Sequence, residues 1–235
     1  MDIKTGNGAF AADYNMAQEL AQSIANVSSN SGVPASCLIT DMNQVLGHSV
    51  GNATELTECI EFLNTPKNSN DRLLELTIEL SAYMLKLSNL EPDLDTARIK
   101  SKEALESGKA ASIFGEMVSE LGGPSDLMEN PEKHLKPMPI IGSIQSNSSG
   151  YISEIDVRAV GVSMIHLKAG RTKSTDSIDH GVGLSEIVSL GQWVNKGDSL
   201  AMAHCRDKDQ LDFLKSNIPS LIQLSENMPK AQNLI

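Results

Sequence analysis

Hydrophobic periodicity in this chain changes character around Pro137-Met138-Pro139, and that change constrains the fold more than any other feature of the sequence. Upstream, apolar residues recur every three or four positions, the spacing that gives a helix one apolar stripe. Met16, Leu20, Ile24 and Val27 mark a helix over 13–30, with Gly32 as its C-cap. Asn52, with Glu55 three residues later, predicts a capped helix start whose apolar face is Leu56, Cys59, Ile60 and Leu63. Leu73, Leu74, Leu76, Leu80, Met84 and Leu87 predict another helix over 71–88, broken at Glu91-Pro92. Two more follow over 95–106 and 110–121, stopped by Gly108 and by Gly122-Gly123-Pro124. Downstream the pattern alternates as in strands, through 140–144 and 150–155, and Val160, Val162, Met164 and Ile165 continue it. Gln192-Trp193-Val194 and 199–202 read as a β pair joined by the turn Asn195-Lys196-Gly197-Asp198, and 209–226 as an amphipathic helix interrupted near Pro219.

A chain of 235 residues buries a core without disulfides or metals. With one Trp, three Tyr and four Phe, that core is built from aliphatic side chains and Met. Thirty acidic against 19 basic residues give a net charge of −11, which argues against a nucleic-acid coat, because phosphate neutralisation needs clustered Lys and Arg. No apolar run approaches the roughly 18 residues of a membrane span, and MDIKTGNGAF lacks the basic and apolar regions of a signal peptide. Cys37, Cys59 and Cys205 are far apart and show no metal-type spacing, so a reducing, cytoplasmic setting is expected.

The short apolar run Cys37-Leu38-Ile39-Thr40 reads as a buried strand ending in the polar Asp41-Met42-Asn43-Gln44. α/β folds place ligands at the carboxyl ends of strands, though an Asx turn explains the same residues. Met1-Asp2-Ile3-Lys4 runs directly into Thr5-Gly6-Asn7-Gly8, either a backbone cradle for an anion or sugar or a simple turn. Carbonyls of Leu46 and Ser49 with the Glu58 carboxylate have the oxygen chemistry of a hard-cation cage. The five histidines are scattered and predict no zinc site. Asp176, Asp179 and His180 form a polar cluster in a solvated loop, while Arg158, Arg171 and Lys173 are phosphate contacts or salt-bridge partners. No Walker loop is present. The 191–200 segment has the tight-turn chemistry of a barrel-sandwich module such as a biotinyl or lipoyl domain. With no acceptor-lysine hairpin beside it, packing is its better reading. The fold class expected is α/β over 1–136, followed by a β-rich, barrel-sandwich-like module with a terminal helix over 137–235.

Four segments, in order, resemble the thymidine and pyrimidine-nucleoside phosphorylase family, and the bacterial thymidine phosphorylase branch most closely. They are the Lys4-Thr5-Gly6-Asn7-Gly8-Ala9-Phe10 strand and turn; Thr40-Asp41-Met42-Asn43-Gln44-Val45-Leu46 with Val50-Gly51-Asn52-Ala53 and Glu55; Gly108-Lys109-Ala110-Ala111 with Phe114 and Met117; and Gly150-Tyr151-Ile152 through Asp156-Val157-Arg158-Ala159, Gly170-Arg171, Asp176-Ser177-Ile178-Asp179 and Val182-Gly183. The resemblance implies phosphorolysis of thymidine to thymine and 2-deoxyribose 1-phosphate in pyrimidine salvage. Inorganic phosphate would be the co-substrate, no organic cofactor is implied, and the family is homodimeric. Lys4, Gly6 and Gly8 would lie in the active-site wall, Phe10 would border the pyrimidine, and Leu46, Ser49 and Glu58 align with a potassium site. The family's phosphate loop, Lys-His-Ser-Thr-Gly-Gly, and its Arg…Ser…Lys base grip have no counterpart in this sequence. The expectation is therefore a C-terminal part of such an enzyme, beginning inside the fold, carrying no catalytic residue of its own and inactive alone. A subunit of a split phosphorylase and a non-catalytic binding module are the alternatives.

Overall fold

The computed structural model describes residues 1–231 and 233–235. Strands β1 (Asp2–Thr5) and β2 (Leu38–Asp41) lie parallel, in register from Asp2 opposite Leu38 to Thr5 opposite Asp41. A parallel pair needs a crossover, and helix α1 (Tyr14–Asn30) supplies it. The Asp13 carboxylate caps α1 by accepting from the Met16 N–H at 2.9 Å. Leu20, Ile24 and Ile39 pack on the buried Ile3, Ala11 and Ala17. Strand β3 (Val50–Gly51) and helices α2 (Asn52–Asn64), α3 (Asp71–Leu87), α4 (Leu94–Glu106), α5 (Lys109–Glu120) and the single-turn α6 (Pro131–His134) follow. Asn70 and Asp93 cap α3 and α4 with their side chains. At the start of α2 the expected cap works differently. Glu55 accepts from the Gly51 N–H at 2.9 Å, while Asn52 is already helical and its amide donates to the Ala169 carbonyl.

The chain groups into two compact units. The first holds residues 1–42, 60–128 and the end of the chain; the second holds 43–59 and 129–231. This grouping crosses the sequence division at 136/137. Residues 43–59 group with the second unit because β3 pairs antiparallel with β6 (Gly183–Ser185), the His48 carbonyl accepts from Ile187, and the buried Gln44 accepts from the Leu190 N–H.

The second unit is completed by β4 (Ile140–Gln145), β5 (Gly150–Ile155), α7 (Val157–His166), β7 (Trp193–Val194), β8 (Ser199–Cys205), α8 (Lys208–Asn217) and β9 (Ile222–Ser225). A four-stranded sheet has the order β3-β6-β8-β4 and a three-stranded sheet β7-β5-β9. Neither sheet closes into a barrel among the described residues. Ile144, Ile152, Ile155, Val182 and Leu214 are wholly buried in this unit.

Three expectations change here. Residues 157–166 form a helix, not a continuation of the strands: Asp156 accepts from the Ala159 N–H at 2.9 Å, and Val157, Val160 and Met164 bury one helical face. The 193–194 and 199–205 strands are not partners. β7 joins β5, whereas β8 lies between β6 and β4, so the Asn195–Asp198 turn hands the chain from one sheet to the other. The terminal helix ends at Asn217, Pro219 sits in the 3-10 turn Ile218–Leu221, and Ile222-Gln223-Leu224-Ser225 is a strand on β5. Pro219 cannot donate a helical hydrogen bond, and the alternation after it suits a strand.

His204 on β8 shares a 2.8 Å hydrogen bond with Ser185. Burial pushes its imidazole below the ordinary 6.5, outweighing the nearby Glu186 carboxylate. The folded protein thus favours the neutral ring. As pH falls through 6.5 the unfolded chain takes up a proton first, so stability is lost on acidification. Between pH 7 and 5 the urea midpoint is expected to fall further for the native chain than for H204Q; parallel curves would remove His204 from this balance.

Candidate functional site at the β1–β2 strand ends

The glycine-rich turn after β1 folds back on the end of β2. Met42 donates its N–H to the Thr5 carbonyl at 2.6 Å, Gly8 to the Met42 carbonyl at 3.2 Å and Ala9 to the Gly6 carbonyl at 3.0 Å. Gly6 donates to Ala12 at 3.2 Å and holds φ at 111°, a value that L side chains rarely adopt. The Gly6 and Gly8 N–H groups are thus spent on the turn itself. These two glycines offer a narrow wall rather than free donors for an anion.

Lys4 lies on the sheet face opposite Thr40. Its ammonium pairs with Asp2 at 2.7 Å and donates to the Thr40 hydroxyl at 3.1 Å, while that buried hydroxyl donates to Asp2 at 2.6 Å. Every polar group in this triad has a partner, so the Lys4 charge is fixed in place and largely balanced. Phe10, at the end of the turn, is 81% exposed. The four residues expected in an active-site wall therefore share one strand end. Leu46, Ser49 and Glu58 lie in the second unit.

An arginine that sequence reasoning missed completes the strand end. Arg72 Nη2 donates to the Asp41 carboxylate at 3.0 Å, and Arg72 Nε is buried without a partner among the described residues. The Asp41 side chain is only 8% exposed. The one sequence signal was positional. Arg72 is the second residue of α3, where a cation opposes the helix dipole, so another group must hold it there.

At the expected cation loop, Glu58 Oε1 accepts from the His48 N–H at 2.7 Å. A Cβ on Gly47 would lie 2.2 Å from that oxygen, so a larger residue there would push the Glu58 carboxylate off the His48 N–H. Glu58 Oε2 has no hydrogen-bond partner among the described residues.

The loop residues Asp176 and Asp179 are not one cluster. Asp176 accepts from Thr172 and from the Lys173 N–H, which holds its carboxyl below the usual range. Asp179 takes a two-pronged contact from Arg206 at 2.7 Å, with the same effect. Arg171 donates to the Asp176 carbonyl. Burial pushes the Cys205 thiol up to about 11 and also raises Cys59, which Glu58 and Glu55 raise further, so both favour the unreactive thiol form. Among the described residues no group of three or more His, Cys, Asp or Glu side chains is placed to hold a metal ion, and no helix is long and apolar enough to cross a membrane.

One comparison with known proteins covers part of the second unit. The matched stretch begins on β5 and ends on β9, and its first and last residues, Tyr151 and Ser225, face each other in the three-stranded sheet. It includes α7, β6 to β8 and α8, and with them most of the second unit. Over residues 151–225 the chain matches the family model of the pyrimidine nucleoside phosphorylase C-terminal domain, which supports a place in the pyrimidine nucleoside phosphorylase family.

Proposed function

We propose that the chain serves the phosphorolysis of pyrimidine nucleosides, with thymidine as substrate and thymine and 2-deoxyribose 1-phosphate as products, in cytoplasmic pyrimidine salvage. The observation that carries this reading is the match of residues 151–225 to the family's C-terminal domain. The Lys-x-Gly-x-Gly-Ala-Phe strand end adds to it. Phosphate attacks the anomeric carbon while the base departs, so the reaction needs a held oxyanion and stabilised charge on the pyrimidine. In this proposal Phe10 covers one edge of the base, and Lys4, Gly6 and Gly8 form the wall behind it. Leu46, Ser49 and Glu58 hold potassium, a structural ion that ties the 46–49 loop to α2. The phosphate loop and base grip have no counterpart in these 235 residues, so by themselves they do not turn over.

A second reading follows from the first sheet. Two parallel strands among the described residues are fewer than an independently stable sheet contains, and parallel strands are buried on both faces. We propose that a segment of a different polypeptide completes this sheet and brings the phosphate loop. Product analysis tests the substrate. When a fragment bearing Lys-His-Ser-Thr-Gly-Gly is supplied, thymine is expected from thymidine at least about tenfold faster than uracil from uridine. A reversed preference would assign uridine, and release of base without sugar 1-phosphate would remove phosphorolysis.

A further inference from the structure

A surface cavity of about 500 Å³ in the second unit is lined by Lys168, Ser177, Asp179, His180 and Arg206. Its walls come from the 168–181 loop that follows α7 and from the residue that follows β8. Lys168 sits just past the α7 C-cap with φ at 68°, a left-handed conformation uncommon outside glycine. Its carbonyl accepts from the Asp179 N–H at 2.8 Å, which fastens the loop to the helix end.

The inventory of polar groups in this cavity is one-sided. Asp179, its only carboxylate, is fully committed: Oδ1 accepts from Arg206 Nη2 and the Gly181 N–H, and Oδ2 from Arg206 Nε. The donors are not. Among the described residues, the Lys168 ammonium, the Ser177 hydroxyl, the His180 ring and Arg206 Nη1 have no hydrogen-bond or ion-pair partner. Lys168 and Arg206 outnumber Asp179, so the cavity is net positive in a chain of net charge −11. The Asp179 contact also fixes the Arg206 guanidinium plane, which leaves Nη1 oriented at little further entropy cost.

From these groups we propose that the cavity binds a phosphate monoester or inorganic phosphate, with Lys168 and Arg206 Nη1 on the phosphoryl oxygens and Ser177 and His180 completing the donor set. A tetrahedral dianion presents three strongly accepting oxygens, and charge-assisted donors are the natural complement. The cavity volume leaves room for a small sugar beside the phosphoryl group. This site stands on unit-two residues alone and does not depend on the proposed phosphorolysis.

Calorimetric titration of the whole chain at low salt tests the inference, with inorganic phosphate in one arm and ribose 5-phosphate in the other. Saturable one-site binding in the sub-millimolar range is expected in at least one arm. Tighter binding of ribose 5-phosphate assigns a sugar phosphate, and equal binding assigns the phosphoryl group alone. K168Q, whose unfolding midpoint serves as the folding control, is expected to weaken binding at least about tenfold, the size of one charge-assisted contact. S177A, a milder change, should weaken it severalfold. No saturable binding up to 10 mM, at least about tenfold above the expected sub-millimolar range, would overturn the assignment. So would binding that both variants leave unchanged while they remain folded.

Discussion

Replacing Arg72 by methionine is expected to destabilise the first unit by about 3–5 kcal/mol, the cost of leaving a buried charge without its partner. Asp41 is 8% exposed and Arg72 18%, so solvent screens this pair little. The contact joins the second residue of α3 to the last residue of β2, 31 positions apart. It therefore fixes where the carboxyl end of β2 lies. Methionine keeps the length and removes the charge. Urea unfolding followed by far-ultraviolet circular dichroism reads the loss, and the double variant R72M/D41N is expected to recover most of it, since no buried charge remains. An R72M chain within about 1 kcal/mol of native, the range of an exposed pair, would show that Asp41 is satisfied without the guanidinium.

Ile152→Ala is expected to cost the second unit about 3–4 kcal/mol, within the range for emptying a buried isoleucine site. Ile152 is wholly buried in β5, opposite Leu224 of β9. Its backbone binds on both sides of the peptide, donating to Gln192 and accepting from Gly191, each at 2.8 Å. It thus joins β9, β5 and the 189–192 turn, and those interactions cannot reorganise to fill the space without breaking the ladder. The single tryptophan, Trp193, stacks edge-on against the adjacent Tyr151 at 4.8 Å, so its fluorescence reports this sheet directly. A shift in the Trp193 transition of less than about 1 kcal/mol, well under the usual isoleucine-to-alanine range, would mean that the sheet is held elsewhere.

The features legible in the sequence are those set within a few residues. Helices α1, α3 and α4 are legible from apolar residues three and four apart, and the caps that start them, Asp13, Asn70 and Asp93, are equally local because a capping side chain reaches only two or three residues ahead. The glycine turn after Lys4 was legible for the same reason. What was not legible depends on distant partners. Nothing local says that Trp193 and Ser199, on either side of a good hairpin turn at Asn195–Asp198, belong to different sheets. Val160 and Val162 look like a strand because they are β-branched, but Asp156 starts a helix and burial on one face keeps it. At the candidate site, Lys4 and its glycines could be chosen from the sequence, whereas the balancing of Lys4 by Asp2 and Thr40 could not, because Thr40 arrives through a crossover of more than thirty residues. Asp41 was chosen as a strand-end residue, yet its partner Arg72 lies one helix further on.

The central proposal, that this chain needs a complementing fragment to split thymidine with phosphate, is tested most directly by following thymine release from thymidine and phosphate optically, first with this chain alone and then with a fragment carrying Lys-His-Ser-Thr-Gly-Gly. The account predicts no turnover above the blank for the chain alone and phosphate-dependent turnover once the two fragments form a complex. Turnover by the 235 residues alone, or a stable complex that releases no thymine, would contradict it.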